Sequence, residues 1–156
     1  MRLKDLDGRV GSSWGGSAAH AVNANVVVGR RGSKTAAAIL GTLGTPTALN
    51  AAFLASPPEG DLSPAVVIVN RAPIASELHA RLTWGAGQLG VADGVRDALI
   101  TCKAQEVAAD LVVLVSLLVD AAATDDVVLH AASREATARA LELALRRGQE
   151  AGSSSR

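Results

Sequence analysis

Two asparagines and a histidine near the start of the chain are the side chains best suited to handle a small polar substrate. Asn23 and Asn25 stand at alternate positions of the segment 21–28, whose other residues are alanine or valine. Alternate residues of a strand point to the same face, so both carboxamides would share one face. Asparagine is depleted in strands, which leaves two explanations: a solvent-exposed face or the wall of a pocket. His20 lies just before the segment, where its imidazole could act as a general acid or base.

Two glycine-rich segments match nucleotide-binding loops only in part. Segment 29–35 reads Gly-Arg-Arg-Gly-Ser-Lys-Thr and has two residues between its glycines, where a phosphate loop has four. It predicts either an anion held at a helix start or an ordinary glycine turn with solvated cations. Segment 85–90 reads Gly-Ala-Gly-Gln-Leu-Gly, but the dinucleotide fingerprint requires a preceding strand, and residues 74–83 show a helical pattern. We expect a break between two helices there, with Gln88 available to a pocket.

The sequence predicts no metal site. The histidines at 20, 79 and 130 do not stand at ligand spacing from one another, from the cysteine or from a carboxylate. His79 and His130 fall in helical segments and are expected at the surface. A single cysteine, Cys102, excludes an internal disulfide, and its apolar neighbours favour a small buried residue over a reactive thiol.

Four strand-like and four helical segments must position these side chains. Strands are predicted at 21–28, 48–55, 65–70 and 111–119, and helices at 34–40, 74–82, 89–102 and 124–147. The third and fourth strands are near-continuous valine, isoleucine and leucine, as in strands covered on both faces. The order of the elements predicts an α+β fold with helices packed on one face of a small sheet. Residues 1–20 are expected to form an irregular or partly stranded entry. The domain limits are expected at 1–14 for an irregular N-terminal segment, 15–148 for one domain and 149–156 for a flexible tail.

Composition and charge restrict the classes of function. The 156 residues include 15 basic and 15 acidic ones, and only 2% are aromatic. A balanced charge argues against a nucleic-acid partner, and the shortage of rings argues against a platform for stacked bases. The longest apolar run, 111–119, is shorter than the roughly 20 residues that cross a bilayer, and the chain start shows no signal-peptide pattern. We therefore expect a cytoplasmic protein without a membrane or nucleic-acid partner.

Several ordered segments carry a family resemblance. They are Gly-Arg-Arg-Gly-Ser at 29–33, Val-Asn-Arg-Ala-Pro-Ile at 69–74, Gly-Ala-Gly-Gln-Leu-Gly-Val-Ala at 85–92, the stretch 109–126, and Arg-Glu-Ala-Thr at 134–137. In this order and spacing the chain resembles the formaldehyde-activating enzyme family over residues 15–147. The resemblance implies a small mixed sheet with helices on one face, like the second domain of ribosomal protein S5, and a ring of subunits, usually a pentamer. It also implies condensation of formaldehyde with the amine nitrogens of tetrahydromethanopterin, with loss of water.

The resemblance assigns the proton-transferring positions of the family to residues that cannot transfer protons. The family's acid histidine falls at Asn23, and its aspartate two residues later falls at Asn25. A carboxamide has no proton to donate at a useful pKa. His20 would replace the acid only if the strand slipped by three residues, which would also exchange its two faces.

The resemblance also assigns the substrate-contacting positions. The pterin-contacting lysine of the family falls at Arg71 and its threonine at Pro73, while its leucine falls near Phe53 or Leu54. Its glutamine is kept as Gln88. The chain is thus expected to be a divergent member of the family with altered catalytic positions.

Three functions remain open at this point. The first is an enzyme that joins an aldehyde or iminium carbon to an amine nitrogen on an altered substrate, where Arg71 and Gln88 position the substrate and the two asparagines form hydrogen bonds. The second is a non-catalytic homologue that binds or senses a pterin, an aldehyde or another small molecule. The third is the parent reaction with His20 as the acid. In each, the partner is a small molecule, with a reduced pterin as the candidate co-substrate, no covalently bound cofactor, and a homo-oligomeric protein.

Overall fold

Five strands form a single mixed sheet in the computed structural model, which describes residues 2–45, 51–55 and 63–153, with side chains as far as residue 146. They are β1 (Arg9–Gly15), β2 (Val22–Arg30), β3 (Ala52–Leu54), β4 (Ala65–Asn70) and β5 (Leu111–Val119). Their order across the sheet is β1-β2-β5-β4-β3. β4 and β5 run parallel, whereas the other neighbouring strands are antiparallel. The prediction of an α+β fold with a small mixed sheet is confirmed.

Four α-helices accompany the sheet: α1 (Lys34–Gly41), α2 (Glu77–Arg81), α3 (Gln88–Thr101) and α4 (Asp126–Ser153). A π-helical turn, Leu82–Gly87, joins α2 directly to α3. The predicted break between two helices at 85–90 is therefore wrong. Gly90 is a packing position, because a Cβ added there would stand 2.4 Å from the His130 carbonyl oxygen of α4.

The two long helices, α3 and α4, cover one face of the sheet and enclose the main core. The inward side chains of β2 and β5 are almost fully buried and come from alternate positions; they include Val22, Ala24, Val26, Val28, Val113, Val115 and Leu117. α4 meets the sheet with alanines spaced four residues apart on one side of the helix: Ala132, Ala136, Ala140 and Ala144. Because these side chains are small, the backbone of α4 lies directly against β1.

The short helix α1 lies on the opposite face of the sheet. Its residues Ala36 and Ile39 pack against Val67 and Val112, which alternate with the main-core residues of β4 and β5. The two central strands are therefore apolar on both sides, as their continuous apolar runs predict. The expectation that helices cover one face holds for α3 and α4, and α1 adds a smaller core on the other face.

The structure adds detail to three local expectations. Residues 9–15, in the entry expected to be irregular or partly stranded, form β1 and pair along β2. The helix α4 continues through residues 149–153, where a flexible tail is expected. The predicted strand 48–55 is observed as Ala52–Leu54, and residues 46–50 lie outside the described part of the chain. The likeness to the second domain of ribosomal protein S5 and the domain limits stay predictions.

Candidate active site on the open face of the sheet

Asn23 and Asn25 lie on the face of the sheet that points away from α3 and α4. Asn23 stands opposite Trp14 on β1 and Leu118 on β5, and Asn25 stands opposite Ser12 and Ser116. Residues directly opposite one another point to the same face. We call these positions the open face: Ser12, Trp14, Asn23, Asn25, Ser116 and Leu118. Trp14 is 56% exposed, whereas Asn23 is only 6% exposed. The face is thus a surface in which the Asn23 carboxamide is enclosed.

The carboxamide of Asn23 is held at both ends. Its Nδ2 donates to the Ser13 carbonyl oxygen at 3.0 Å, and its Oδ1 accepts a hydrogen bond from Nη2 of Arg71. The same Nη2 lies 3.3 Å from the backbone oxygen of Asn23. The structure therefore brings together two of the predicted site residues, 48 positions apart in sequence. Neither group of this pair transfers a proton at neutral pH, so the pair can orient and polarise a ligand.

Arg71 also carries a donor that no described residue satisfies. Its Nε is buried and has no hydrogen-bond partner within the described ranges. Burial lowers the pKa of the guanidinium from its ordinary value. A buried, unpaired N–H of a cationic group is costly, and an acceptor oxygen or nitrogen of a bound molecule would remove that cost.

Asn25 contributes a second polar pair. The Ser12 hydroxyl donates to Asn25 Oδ1 at 2.6 Å. This bond fixes the rotamer of the carboxamide and leaves its Nδ2 with no partner among the residues described. The open face thus presents an amide donor at Asn25 two residues from the Asn23–Arg71 pair.

His20 is directed at the start of α4. Its Nε2 accepts from the backbone N–H groups of Thr124 and Asp125, at 3.1 and 3.0 Å. An imidazole that accepts two amides at Nε2 carries its proton on Nδ1. β2 pairs with β1 in an unbroken register from Arg9 to Gly15, and His20 precedes the strand in a short 3-10 helical turn, Ala18–His20. His20 forms no hydrogen bond to Asn23 or Arg71 in the described structure.

The remaining predicted residues lie elsewhere around the sheet. Gln88 is the first residue of α3, and its Nε2 donates to the Trp84 carbonyl oxygen at 3.2 Å. The Phe53 ring meets the Trp84 ring edge to face, with centroids 6.5 Å apart, and packs against the main core. Leu54, the next residue of the same edge strand β3, is half exposed, and Pro73 lies exposed in the loop after β4. Within one chain, Phe53 and Gln88 are therefore on the helix-covered side, and Asn23 and Asn25 are on the other.

Sequence reasoning missed the residues that β1 contributes. Ser13 supplies an acceptor to Asn23, and Ser12 and Trp14 flank the two asparagines on the open face. The usable signal is an alternation in residues 10–15, where glycines at 11 and 15 alternate with Val10, Ser12 and Trp14. Glycines hide this pattern because they add no apolar side chain to the buried positions.

The glycine turn before α1 already holds an anion, the carboxylate of Asp7. Asp7 Oδ1 accepts from the backbone N–H of Arg30 at 2.8 Å and from the Ser33 hydroxyl at 2.6 Å. Its Oδ2 accepts from the Thr35 hydroxyl at 3.2 Å. The hydrogen bond from the Arg30 amide, followed by that from Ser33, lowers the pKa of Asp7 from its ordinary value of 3.8. This turn is thus a structural anion site satisfied within the chain.

Within the described ranges, no three histidine, cysteine or acidic residues cluster as metal ligands would. His79, expected at the surface, is buried; its Nδ1 accepts from the Ala75 amide at 3.1 Å, and its Nε2 lies 3.0 Å from the Val119 carbonyl oxygen. Cys102 is buried, as expected. None of the helices in the described part has the length and apolar character needed to cross a membrane.

Comparison with known proteins agrees with this arrangement of segments. A curated relative, the 5,6,7,8-tetrahydromethanopterin hydro-lyase of Methanosarcina barkeri strain Fusaro, is 29% identical over 142 residues, covering 90% of this chain and 80% of the relative. The sequence profile of the formaldehyde-activating enzyme (Fae) family matches residues 10–151. The match includes all of β1 except its first residue, Arg9, together with all of the open face and Gln88. The chain belongs to the formaldehyde-activating enzyme family.

Proposed function

We propose that the chain condenses an aldehyde or iminium carbon with an amine nitrogen at the Asn23–Arg71 pair, on a substrate that differs from that of its relatives. Membership of the family supports the reaction class, and the name of the relative supports a reduced pterin as co-substrate. The observation that carries the proposal is the guanidinium of Arg71, held by Asn23 and left with a buried, unpartnered Nε. No covalently bound cofactor is part of the proposal.

In this chemistry the guanidinium of Arg71 stabilises charge. The carboxamides of Asn23 and Asn25 take no part in proton transfer. The amine nitrogen attacks the aldehyde carbon, and the carbonyl oxygen gains negative charge, which Arg71 stabilises. The oxygen takes up the proton that the attacking nitrogen releases, which gives the carbinolamine. A second proton, taken from solvent, lets the hydroxyl leave as water and leaves an iminium ion. A second amine nitrogen adds to the iminium carbon and loses its own proton, which closes the methylene bridge. Positioning and charge stabilisation replace the side-chain acid, whose contribution is typically about 10²–10⁴-fold.

A non-catalytic homologue that binds a pterin or an aldehyde is the second candidate. The hydrogen bonds of Asn23 favour this candidate, because both the Nδ2 and the Oδ1 of its carboxamide already bind groups of the protein. A site without a proton donor can retain affinity for a substrate while losing turnover, because binding and transition-state stabilisation are separate free energies.

A homo-oligomer, as the family resemblance implies, would complete the site. Residues assigned to one site lie on two sides of the sheet in a single chain, with Gln88 among the helices and Asn23 on the open face. A neighbouring copy could supply the missing group. Val10, Trp14 and Leu54 expose apolar surface on the same side as Asn23, which suits a covered face. The pentamer stays a proposal.

The proposed reaction is tested with purified protein, tetrahydromethanopterin and formaldehyde, by following the methylene product in absorbance against the spontaneous rate. We expect the wild type to accelerate the reaction, or the reaction of another reduced pterin or amine, and Arg71→Met to lose about tenfold or more of that acceleration. Arg139→Met is the matched control, because Arg139 is an exposed residue of α4 whose partner in the described part of the chain is Glu135 on the same helix.

The assay also separates the two candidates. Saturable pterin binding by calorimetry, with no acceleration for any amine tested, would establish the binding homologue and remove the catalytic proposal. If the protein neither binds a pterin nor accelerates a condensation, both candidates are removed.

A further inference from the structure

A cavity of about 420 Å³ lies between the π-helical turn and the start of α4. Its size falls within the range of about 300–1,000 Å³ that holds small organic ligands. Apolar side chains form most of its wall, and three polar side chains line it as well; the main contributors are Leu82, Leu89, Val127, Arg81, Asp126 and His130. It lies among the helices, on the side of the sheet opposite the open face.

Two side chains of opposite charge, Arg81 and Asp126, line this cavity, and both are exposed to solvent. Arg81 forms no hydrogen bond or ion pair with any residue in the described part of the chain. Asp126 accepts the amide of Val127 at 2.9 Å through Oδ1, and its Oδ2 has no described partner. Opposite charges beside an apolar cavity are complementary to a ligand that carries both signs.

His130 adds an oriented polar group. Its Nε2 lies 2.9 Å from Asp93 Oδ2, and the other oxygen of Asp93 lies 3.3 Å from Arg96. The Asp93 carboxylate fixes the orientation of the imidazole ring, as carboxylates do for metal-binding histidines in other proteins. The Nδ1 atom has no partner among the described residues and is left to a ligand.

The π-helical turn opens the cavity. Such turns are rare, and they are found mostly where function keeps an irregular helix. Gly85 lies in the middle of this turn and lines the cavity, and a Cβ added at Gly85 would meet no atom within 4 Å. The space beside Gly85 is therefore empty of protein, and a larger side chain at this position would enter it without striking the backbone.

We propose that this cavity binds a small zwitterion with an apolar side chain, of the class of the aliphatic α-amino acids. The ligand carboxylate pairs with Arg81, its ammonium group pairs with Asp126, and its side chain packs against Leu82, Leu89 and Val127. A simple carboxylate would leave Asp126 unpaired beside its own negative charge, and a simple amine would do the same to Arg81. The inference does not depend on the reaction proposed for the open face.

Three probes with one carbon skeleton test the charges. They are L-leucine, 4-methylpentanoate, which lacks the ammonium group, and 3-methylbutylamine, which lacks the carboxylate. Calorimetric titration of the whole chain should show the tightest binding for L-leucine, about tenfold or more above either analogue. The backbone amide signals of Gly85 and Ala86 should shift during the same titration followed by NMR.

Variants test the location. Gly85→Leu fills the cavity and should weaken L-leucine binding about tenfold or more, and Arg81→Met should remove the preference for L-leucine over the amine. Arg139→Met should leave both unchanged. Thermal unfolding verifies that each variant is folded, and Arg81→Met carries the test of location if Gly85→Leu unfolds the protein. No measurable binding of L-leucine, equal binding of all three probes, or an unchanged L-leucine preference in folded Arg81→Met would overturn the proposal.

Discussion

Asn23 and Arg71 form a pair whose geometry depends on the guanidinium. One Nη2 reaches both the backbone oxygen and the side-chain oxygen of Asn23, while the buried Nε faces no partner in the described structure. A lysine ammonium is a compact point charge and has no Nε donor held at a fixed angle to a second donor. The family resemblance places a lysine at 71 together with a histidine at 23 and an aspartate at 25. The three replacements are therefore best understood as one coupled change.

Coupling at the residue scale gives the first prediction. Arg71→Lys alone should reduce the acceleration of the condensation about tenfold, because the ammonium cannot replace the guanidinium contacts to Asn23. Arg71→Lys together with Asn23→His and Asn25→Asp should restore or exceed the wild-type rate. A double-mutant cycle measures the coupling. Strictly additive effects of the substitutions would contradict the coupled change.

The second residue-scale prediction concerns Asp7. Its pKa is lowered in the folded chain, so its hydrogen bonds stabilise the fold above the unfolded pKa near 3.8, and this stabilisation is lost as the pH falls through the lower folded value. Asp7→Asn should lower the free energy of unfolding at neutral pH by about 1–2 kcal/mol. The difference between the two proteins in urea unfolding should shrink below pH 3.8. A difference that is independent of pH would rule out the carboxylate as its source.

At the scale of elements, the glycines of β1 and the alanines of α4 allow the strand and the helix to approach closely. A Cβ at Gly11 would stand 1.9 Å from the Ala140 carbonyl oxygen, and one at Gly15 would stand 2.3 Å from that of Ala132. These are backbone atoms, which cannot move aside as a flexible side chain can. β1 thus depends on α4 for its position, and with it the residues that flank Asn23 and Asn25.

Gly11→Ala tests this contact. We expect a loss of about 3 kcal/mol or more in the free energy of unfolding, at the upper end of what overpacking costs, because the obstacle is the α4 backbone. Gly41→Ala is the matched control: it lies at the end of α1 with no atom within 4 Å of an added Cβ, and should change stability by less than about 1 kcal/mol. Chemical denaturation of both variants measures the contrast. Equal stabilities would contradict a direct backbone contact.

The same elements show what sequence reasoning could and could not predict. β4 and β5 are observed at the predicted limits, 65–70 and 111–119, because buried central strands are marked by continuous apolar residues. β1 was hidden because a glycine opposite a helix backbone leaves no apolar side chain to count. The expected break at 85–90 was wrong for a related reason: Gly90 serves the approach of α4, and local turn chemistry cannot be told from packing in one sequence. The positions of Asn23 and Asn25 on one face followed from strand alternation, whereas the contact with Arg71 depends on strand order across the sheet.

At the scale of the whole molecule, the open face carries apolar surface that a single chain leaves uncovered. Trp14 of the open face is more than half exposed, and Val10 and Leu54 on the same side of the sheet are each at least half exposed. The helices α3 and α4 cover the other face. Nearly all other large side chains of the sheet are buried or partly buried. This asymmetry agrees with a homo-oligomer in which the open face meets a neighbouring subunit.

Size-exclusion chromatography with light scattering tests the assembly. The wild type should elute as an oligomer, with a pentamer as the family expectation, and Trp14→Arg should shift it toward the monomer, because a charge in a covered apolar face is costly. Lys103→Glu, an exposed substitution in the turn after α3, is the control for a general effect of charge. A monomeric wild type at micromolar concentration would remove the ring and the completion of the site by a neighbour.

The proposed site works by orientation and charge, without a side-chain acid. The pH dependence of the acceleration between about pH 5 and 8, the range in which a histidine changes its charge, tests this proposal. We expect no enzyme ionisation in the profile of the wild type once the spontaneous rate is subtracted, and a new one in Asn23→His combined with Asn25→Asp. A wild-type ionisation in that range that disappears in His20→Ala would contradict it, and would assign the proton transfer to His20.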